Sequence, residues 1–138
     1  MFKIYSYKIM VMAADVDVNL HANNVCYVRW LNDAAVEHSR ANGWYAERYI
    51  ELGSNWFARR HTIDYLAPAA EGDEIEIQTW ISDWQAIKST RKYRFIRIKD
   101  NVKIAEAETL WVFVNLKTGR PTKIPNEVSD CFFVTDNP

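Results

Sequence analysis

The chain has 138 residues, of which 49% are hydrophobic and 25% are charged, and its formal net charge is -1. These values predict one soluble globular domain, residues 1–138, with a core of its own, and they disfavour a whole-surface affinity for nucleic acid or an anionic membrane. No apolar run approaches the roughly 20 residues that span a bilayer, and the N-terminal segment lacks the apolar stretch of a signal peptide.

The predicted elements are, in chain order, one strand, a long helix and four more strands. Aromatic and β-branched residues at positions 3–12 predict the first strand. The helix begins after Asn23 or Asn24, either of which suits an N-cap, and ends at Gly43. Short helices are predicted at 45–51 and after Pro125, and the later strands at 55–66, 74–84, 88–99 and 102–115.

Strands that follow one another through short turns predict an antiparallel sheet, and the long helix must bury its narrow face of small side chains on it. One helix cannot cover both faces of five strands, so the remaining apolar surface predicts a homodimer at least. The two cysteines, Cys26 and Cys131, match no CxxC or zinc spacing, which favours free thiols in a reducing cytoplasm.

Polar residues are concentrated just before the helix, in the segment DVDVNLHANN (15–24). Asp17, Asn19 and His21 stand at positions i, i+2 and i+4, and a carboxylate or imidazole placed there could act as a general base. The helix N-terminus behind them offers unpaired N–H groups that can stabilise an oxyanion. Together these features suggest hydrolysis of an acyl bond.

A purely structural interpretation of the same segment stays open. Asp and Asn are common in turns and caps, so Asn23 or Asn24 is expected to cap the helix rather than to react. A lone His21 is more often a structural hydrogen-bonding residue than a base. Spacing by itself does not choose between a cap and a catalytic site.

The segment DVDVNLHANNVCYVRWLNDA (15–34) resembles the start of the hotdog-fold thioesterases and is close to the D-x-N-x-H-x-N-N-V-x-Y motif of the acyl-ACP thioesterases. RRHTIDYLAPAAEGDEIEIQT (59–79) is similar to the second-strand and third-strand segment of 4-hydroxybenzoyl-CoA and YbgC-type thioesterases. TLWVFVNLKTGRPTKIP (109–125) resembles their last strand and exit turn. The resemblance implies an α+β hotdog fold, a five-stranded antiparallel sheet wrapped around one long helix, that forms dimers or tetramers.

The resemblance also implies roles for the motif residues. Asp17 would activate water or attack the thioester, while Asn19 and His21 orient the water or the carboxylate. Backbone N–H groups near Asn23 and Asn24 would polarise the carbonyl. The products would be a free acid and CoA or acyl carrier protein, and neither a metal nor a redox cofactor is required.

One departure from the acyl-ACP enzymes favours an Asp-centred mechanism. Those enzymes place a Glu-Cys pair shortly after the second strand, whereas residues 66–72 of this chain contain no Cys. Cys26 lies on the predicted helix and is expected to pack in the core. Asp15, which precedes Asp17 by two positions, is expected to be dispensable.

Basic residues form two clusters, one in strand 88–99 and one around Arg59 and His61, and each could have a functional or a purely structural role. In strand 88–99, Arg91 and Lys92 could bind the phosphates of CoA or of phosphopantetheine, although a solvated strand edge is the simpler interpretation. RNA binding is disfavoured because the charges lie on both faces and no RNA-binding motif is present. In the second cluster, strand alternation places Arg59 and His61 on one side, as candidates for a substrate site or interface.

Alternation groups Arg59 and His61 with Phe57, Ile63 and Tyr65. In the resembling enzymes this strand runs beside the pocket at the dimer interface. A non-catalytic acyl-thioester binder on the same fold is the alternative to an enzyme, and the intact Asp17 motif argues against it.

Overall fold

A computed structural model describes residues 3–136 and 138, and in this part of the chain five strands form one antiparallel sheet of order β1-β3-β4-β5-β2. The strands are β1 (Tyr5–Met10), β2 (Ser54–Tyr65), β3 (Glu74–Trp84), β4 (Lys88–Arg97) and β5 (Val102–Asn115). The helices are α1 (Asn24–Ala41), α2 (Ala46–Leu52) and the single turn α3 (Asn126–Ser129). The predicted α+β architecture, one antiparallel sheet packed on a long helix, is confirmed.

Helix α1 packs across one face of the sheet, because small side chains let its backbone come close to the strands. Leu31 and Ala34 are fully buried on this side of the helix. They belong to the main core cluster, together with the buried Ile75, Ile77 and Phe95 of β3 and β4. The central helix is therefore fixed by apolar burial along most of its length.

Both ends of α1 carry the predicted stop signals. The Asn23 side chain accepts a hydrogen bond from the Val25 N–H at 3.0 Å, so Asn23 is the N-cap. At the other end, Gly43 takes a φ of 88°, a left-handed conformation that glycine adopts without strain. The helix limits predicted from the sequence are confirmed.

Strand β4 lies between β3 and β5, so it is not the solvated edge that its basic residues suggested. Its side chains alternate between two different environments. Arg91, Tyr93 and Phe95 are buried on the helix-facing side, whereas Lys92 and Arg94 lie on the opposite side and are half-buried. The interpretation of this strand as an edge is wrong, because strand order is set by pairing between distant segments.

A β-bulge in β2 changes which residues share a side. Ala58 pairs with Trp111 and Arg60 pairs with Leu110, so Arg59 is the extra residue. Past the bulge, His61 is on the helix-facing side, and Phe57 points the other way with 63% of its surface exposed. The predicted grouping of Phe57 with His61 is wrong, because the extra residue shifts the alternation by one position.

A second apolar cluster lies beyond the C-terminal half of α1. It joins residues from the α1–α2 connection, three strands and the C-terminal segment, and its members include Trp44, Tyr49, Ile81, Phe113 and Phe132. No helix in residues 3–136 is both long and apolar enough to cross a membrane.

Replacing Leu31 by Ala is expected to lower the free energy of unfolding by about 3 kcal/mol, because it leaves a cavity where α1 meets the sheet. Urea denaturation followed by far-UV circular dichroism measures this change. Val36→Ala on the exposed side of α1 is the control, with an expected change within about 0.5 kcal/mol. Equal losses in the two variants would contradict the packing described here.

Candidate functional site

Residues 16–22 form a tight hairpin immediately before α1. Val16 and Ala22 make an isolated antiparallel bridge. Inside it, the Asp17 N–H donates to the His21 carbonyl and the Leu20 N–H donates to the Asp17 carbonyl, both at 2.9 Å. Leu20 has a φ of 64°, which closes the turn. The three predicted catalytic residues therefore lie on one small loop.

Asp17 is half-buried, and one of its two carboxylate oxygens accepts a hydrogen bond. Its Oδ1 accepts the Asn19 N–H at 2.9 Å, which holds the side chain over the turn. Oδ2 accepts no hydrogen bond from residues 3–136. The side chains of Asn19 and His21 are exposed, and within the same residues no hydrogen bond joins them to the Asp17 carboxylate or to each other.

The N-terminus of α1 leaves the Asn24 N–H available. The Asn23 N–H donates to the Asp15 carbonyl at 2.7 Å, and the Val25 N–H donates to the Asn23 side chain. The Cys26 N–H donates to the Asn23 carbonyl at 2.9 Å. This leaves the Asn24 N–H without a partner in the described part of the chain, so of the two asparagines only Asn24 can offer its N–H to a ligand.

Asp15 holds this region together. Its buried carboxylate forms a 2.7 Å ion pair with Arg29 of α1 and accepts the Met12 N–H at 2.9 Å. Burial alone would raise the pKa of Asp15, but the hydrogen bonds from Met12 and Arg29 outweigh it and lower that pKa. Asp15 therefore has a structural role, since its side chain ties the preceding turn to α1, and its expected dispensability for the chemistry stays a prediction.

Cys26 has the environment of a packing residue. Its side chain is buried and contacts the Asp15 carboxylate at 3.7 Å. Burial, reinforced by the Asp15 charge, raises the pKa of the Cys26 thiol, which keeps it protonated near neutral pH. The structure thus agrees with the predicted core position of Cys26.

The predicted basic residues lie at separate places. Arg59 and Arg60 are exposed near the bulge, and His61 is half-buried with its Nδ1 2.8 Å from the Thr109 hydroxyl. Burial lowers the pKa of His61, so its neutral form predominates at pH 7. Among the described residues, no hydrogen bond or ion pair joins them to the Asp17 loop.

Arg91 and Lys92 cannot serve one phosphate together, because they face opposite sides of the sheet. Arg91 is only 6% exposed, and its Nη1 donates to His38 Nδ1 at 2.8 Å and to the Thr79 hydroxyl at 3.1 Å. The hypothesis that Arg91 and Lys92 together bind the phosphates of CoA or of phosphopantetheine is wrong, because the Arg91 guanidinium lies between α1 and the sheet. Lys92 is half-buried on the other face and stays a prediction.

A cavity of about 260 Å³, which the sequence does not locate, lies beside the C-terminal half of α1. Ala35 and Ser39 form its helix wall, and Arg91 lies in its sheet wall. Eleven residues separate Asn24 from Ala35, which puts the cavity roughly 16 Å along the helix from the Asp17 loop. The high tryptophan content was a signal for such a pocket, but it did not say which tryptophans line it.

Metal ligands are not grouped in the described residues, since no set of three His, Cys, Asp or Glu side chains is arranged to hold an ion.

The sequence profile described as the Thioesterase-like superfamily matches residues 11–132. The chain is 24% identical to the acyl-CoA thioester hydrolase YbgC of Escherichia coli, over 91% of this chain and 92% of that protein. It is also 24% identical to the chloroplastic oleoyl-acyl carrier protein thioesterase of Coriandrum sativum, over 94% of this chain.

The chain spans 37% of the length of that plant relative. Among solved structures, a 1,4-dihydroxy-2-naphthoyl-CoA thioesterase from Synechocystis superposes with a TM-score of 0.87 at 19% sequence identity. The superposition covers 98% of this chain and 99% of that one, which identifies the fold.

Asp15→Asn is expected to lower the free energy of unfolding by about 2 kcal/mol at pH 7, because it removes a charged partner from Arg29 and Met12. Folding lowers the pKa of Asp15, so its ionised form stabilises the protein above the unfolded-state pKa, and this contribution is lost as the pH falls through the native value. The difference in free energy of unfolding between Asp15→Asn and the parent protein should therefore become smaller below about pH 4.

Urea melts between pH 3 and pH 8 measure the effect, with Asp33→Asn on the exposed surface of α1 as the matched control. A deficit for Asp15→Asn that stays constant across this pH range would contradict the assigned role of the carboxylate.

Proposed function

The chain belongs to the thioesterase-like superfamily, and we propose that it hydrolyses an acyl thioester to a free acid and a thiol. One observation carries the proposal. A half-buried carboxylate with one free oxygen, on Asp17, lies on the loop that leads directly into the helix turn where the Asn24 N–H is unused. A base and an oxyanion donor on one short segment are what attack on an acyl carbonyl requires.

In the proposed reaction, Asp17 removes a proton from a water molecule while the water oxygen bonds to the thioester carbon. The Asn24 N–H and the positive end of α1 stabilise the negative charge that develops on the carbonyl oxygen. When the C–S bond breaks, the proton held by Asp17 passes to the leaving thiolate. In the alternative route, Asp17 attacks the carbonyl itself and water then hydrolyses the acyl-enzyme anhydride.

Asn19 and His21 are proposed to orient the attacking water or the thioester. Their side chains are exposed on the same hairpin as the carboxylate that they would assist. The Tyr65 hydroxyl donates to the Asn24 carbonyl at 3.2 Å, and this contact helps to hold the first turn of α1 in place. Tyr65 is thus a positioning residue that the sequence motif does not include.

The substrate is proposed to be an acyl-CoA or an acyl-ACP. A relative matched over nearly its whole length is named as an acyl-CoA thioester hydrolase, and a longer plant relative as an acyl-ACP thioesterase. The chain lacks the Glu-Cys pair of the acyl-ACP enzymes, which supports the Asp-centred route for either carrier.

Asp17→Asn is expected to lower kcat for thioester hydrolysis by about 10²- to 10⁴-fold, since the amide cannot accept the proton. The measurement is release of free thiol, detected with DTNB, across a panel of acyl-CoAs and acyl-ACPs. Asp33→Asn, an exposed carboxylate on α1, is the control and should keep full activity. Binding of the panel without thiol release by the parent protein would favour the non-catalytic alternative.

Self-association through β2 is the second part of the proposal. β2 pairs with β5 along one edge only, and an unpaired strand edge with exposed apolar side chains is suited to pairing with another copy. Phe57 on this strand is 63% exposed. The proposed homodimer would cover this edge and its apolar residues.

Static light scattering should give at least twice the 16.2 kDa chain mass. Phe57→Lys is expected to shift the mass toward that of one chain, because it puts a charge into the proposed interface. Ile50→Lys changes a residue of similar exposure on α2 and should leave the mass unchanged. A monomeric mass for the parent protein would refute this part of the proposal.

A further inference from the structure

The cavity beside the C-terminal half of α1 is mostly aromatic. Its volume is about 260 Å³, and its ring side chains come from distant parts of the chain: Trp44, Tyr49, Trp56, Trp84, Trp111 and Phe132. An apolar body of modest size would be well packed among these rings.

One wall of this cavity contains a charged group. Arg91 is 94% buried, and burial lowers its pKa from the ordinary value, although a guanidinium stays protonated. Its Nη1 donates to two acceptors that carry no negative charge, His38 Nδ1 and the Thr79 hydroxyl. Residues 3–136 place no carboxylate within ion-pair distance of Arg91.

The guanidinium also has donors to spare. Its Nε and Nη2 make no hydrogen bond to any residue that the structure describes. The buried Nε1 of Trp84, another lining residue, has no partner there either. A buried charge is normally matched by an opposite charge, and a guanidinium fits a carboxylate in two-point fashion.

We propose that this cavity binds an apolar carboxylate, whose acid group pairs with Arg91 while its hydrocarbon or aryl body packs among the aromatic rings. The charge identifies an anion as the missing partner, and the lining and volume limit it to a small apolar acid. The site lies far along α1 from the Asp17 loop, so binding there does not depend on the proposed hydrolysis.

Two sources could supply such a group. One is a free carboxylic acid, which is the kind of product that thioester hydrolysis releases. The other is an acyl thioester whose acyl group itself ends in a carboxylate. Both share the same chemistry at Arg91, and the experiment separates them.

Binding is measured by isothermal titration calorimetry and by tryptophan fluorescence, with phenylacetate and octanoate as probes and their neutral amides as isosteres. The parent protein is expected to bind at least one carboxylate about tenfold or more tightly than its amide, as a charge-assisted hydrogen bond requires. Arg91→Met should abolish this preference, and Arg91→Lys should retain part of it.

Arg94→Met is the matched control, since Arg94 lies on the same strand but stacks on Trp80 at 4.8 Å on the opposite face. It should leave carboxylate affinity unchanged. No binding of either carboxylate, or equal binding of acid and amide by the parent protein, would overturn the proposal. Because the acid–amide comparison uses the parent protein, it decides the question even if Arg91→Met does not fold.

The source is identified with acyl-CoAs of equal chain length that end in either a carboxylate or a methyl group. If Arg91→Met lowers kcat/KM only for the carboxylate-ended thioester, the site recognises the acyl group of a substrate. If it weakens the free acid and leaves both thioesters unaffected, the site holds a free acid. Loss of turnover in Asp17→Asn with unchanged carboxylate binding would separate this site from the proposed reaction.

Discussion

The burial of α1 against the sheet is the constraint on which both sites depend. Because Leu31 and Ala34 are fully buried against the strands, the helix cannot shift along its axis without opening the core. Its N-terminus is thereby held beside the Asp17 loop, and its C-terminal half forms a wall of the aromatic cavity. One packed helix thus sets the geometry at both of its ends.

The two aspartates before α1 show how environment divides roles between identical side chains. Asp15 is buried, with its charge matched by Arg29 and by the Met12 N–H, so it is held ionised and committed to structure. Asp17 is half-buried, and one of its oxygens is left free by the described residues. Only the second arrangement leaves a carboxylate that an incoming water could reach.

Local signals predicted much of the fold, because they depend on neighbouring residues. The strands, an N-cap at Asn23 or Asn24 and the turn at Gly43 follow from periodicity and from backbone preference. The central place of β4 and the bulge at Arg59 do not, since both are set by pairing with distant strands. The burial of Arg91 was not predicted for the same reason, since it depends on packing against α1 and β3 and not on the sequence of its own strand.

As with the fold, the sequence predicted the local part of the candidate site but not the contacts that depend on distant residues. The resemblance singled out Asp17, Asn19 and His21, and the structure places them on one loop. It could not show that the Asn23 N–H is occupied by Asp15 whereas the Asn24 N–H is not, because that depends on how the preceding turn folds back. The cavity was missed because its lining comes from segments far apart in sequence.

Electrostatics at the C-terminal end of α1 bear on what the cavity can hold. The negative end of a helix dipole favours a nearby cation by about 0.3–1 kcal/mol, which helps to accommodate Arg91 next to His38 in the last turns. Burying an ion costs several kcal/mol, so the dipole offsets only part of that cost. The same dipole disfavours an anion there unless a cation is present. Arg91 is therefore the group that would allow an anion to bind at this end of the helix.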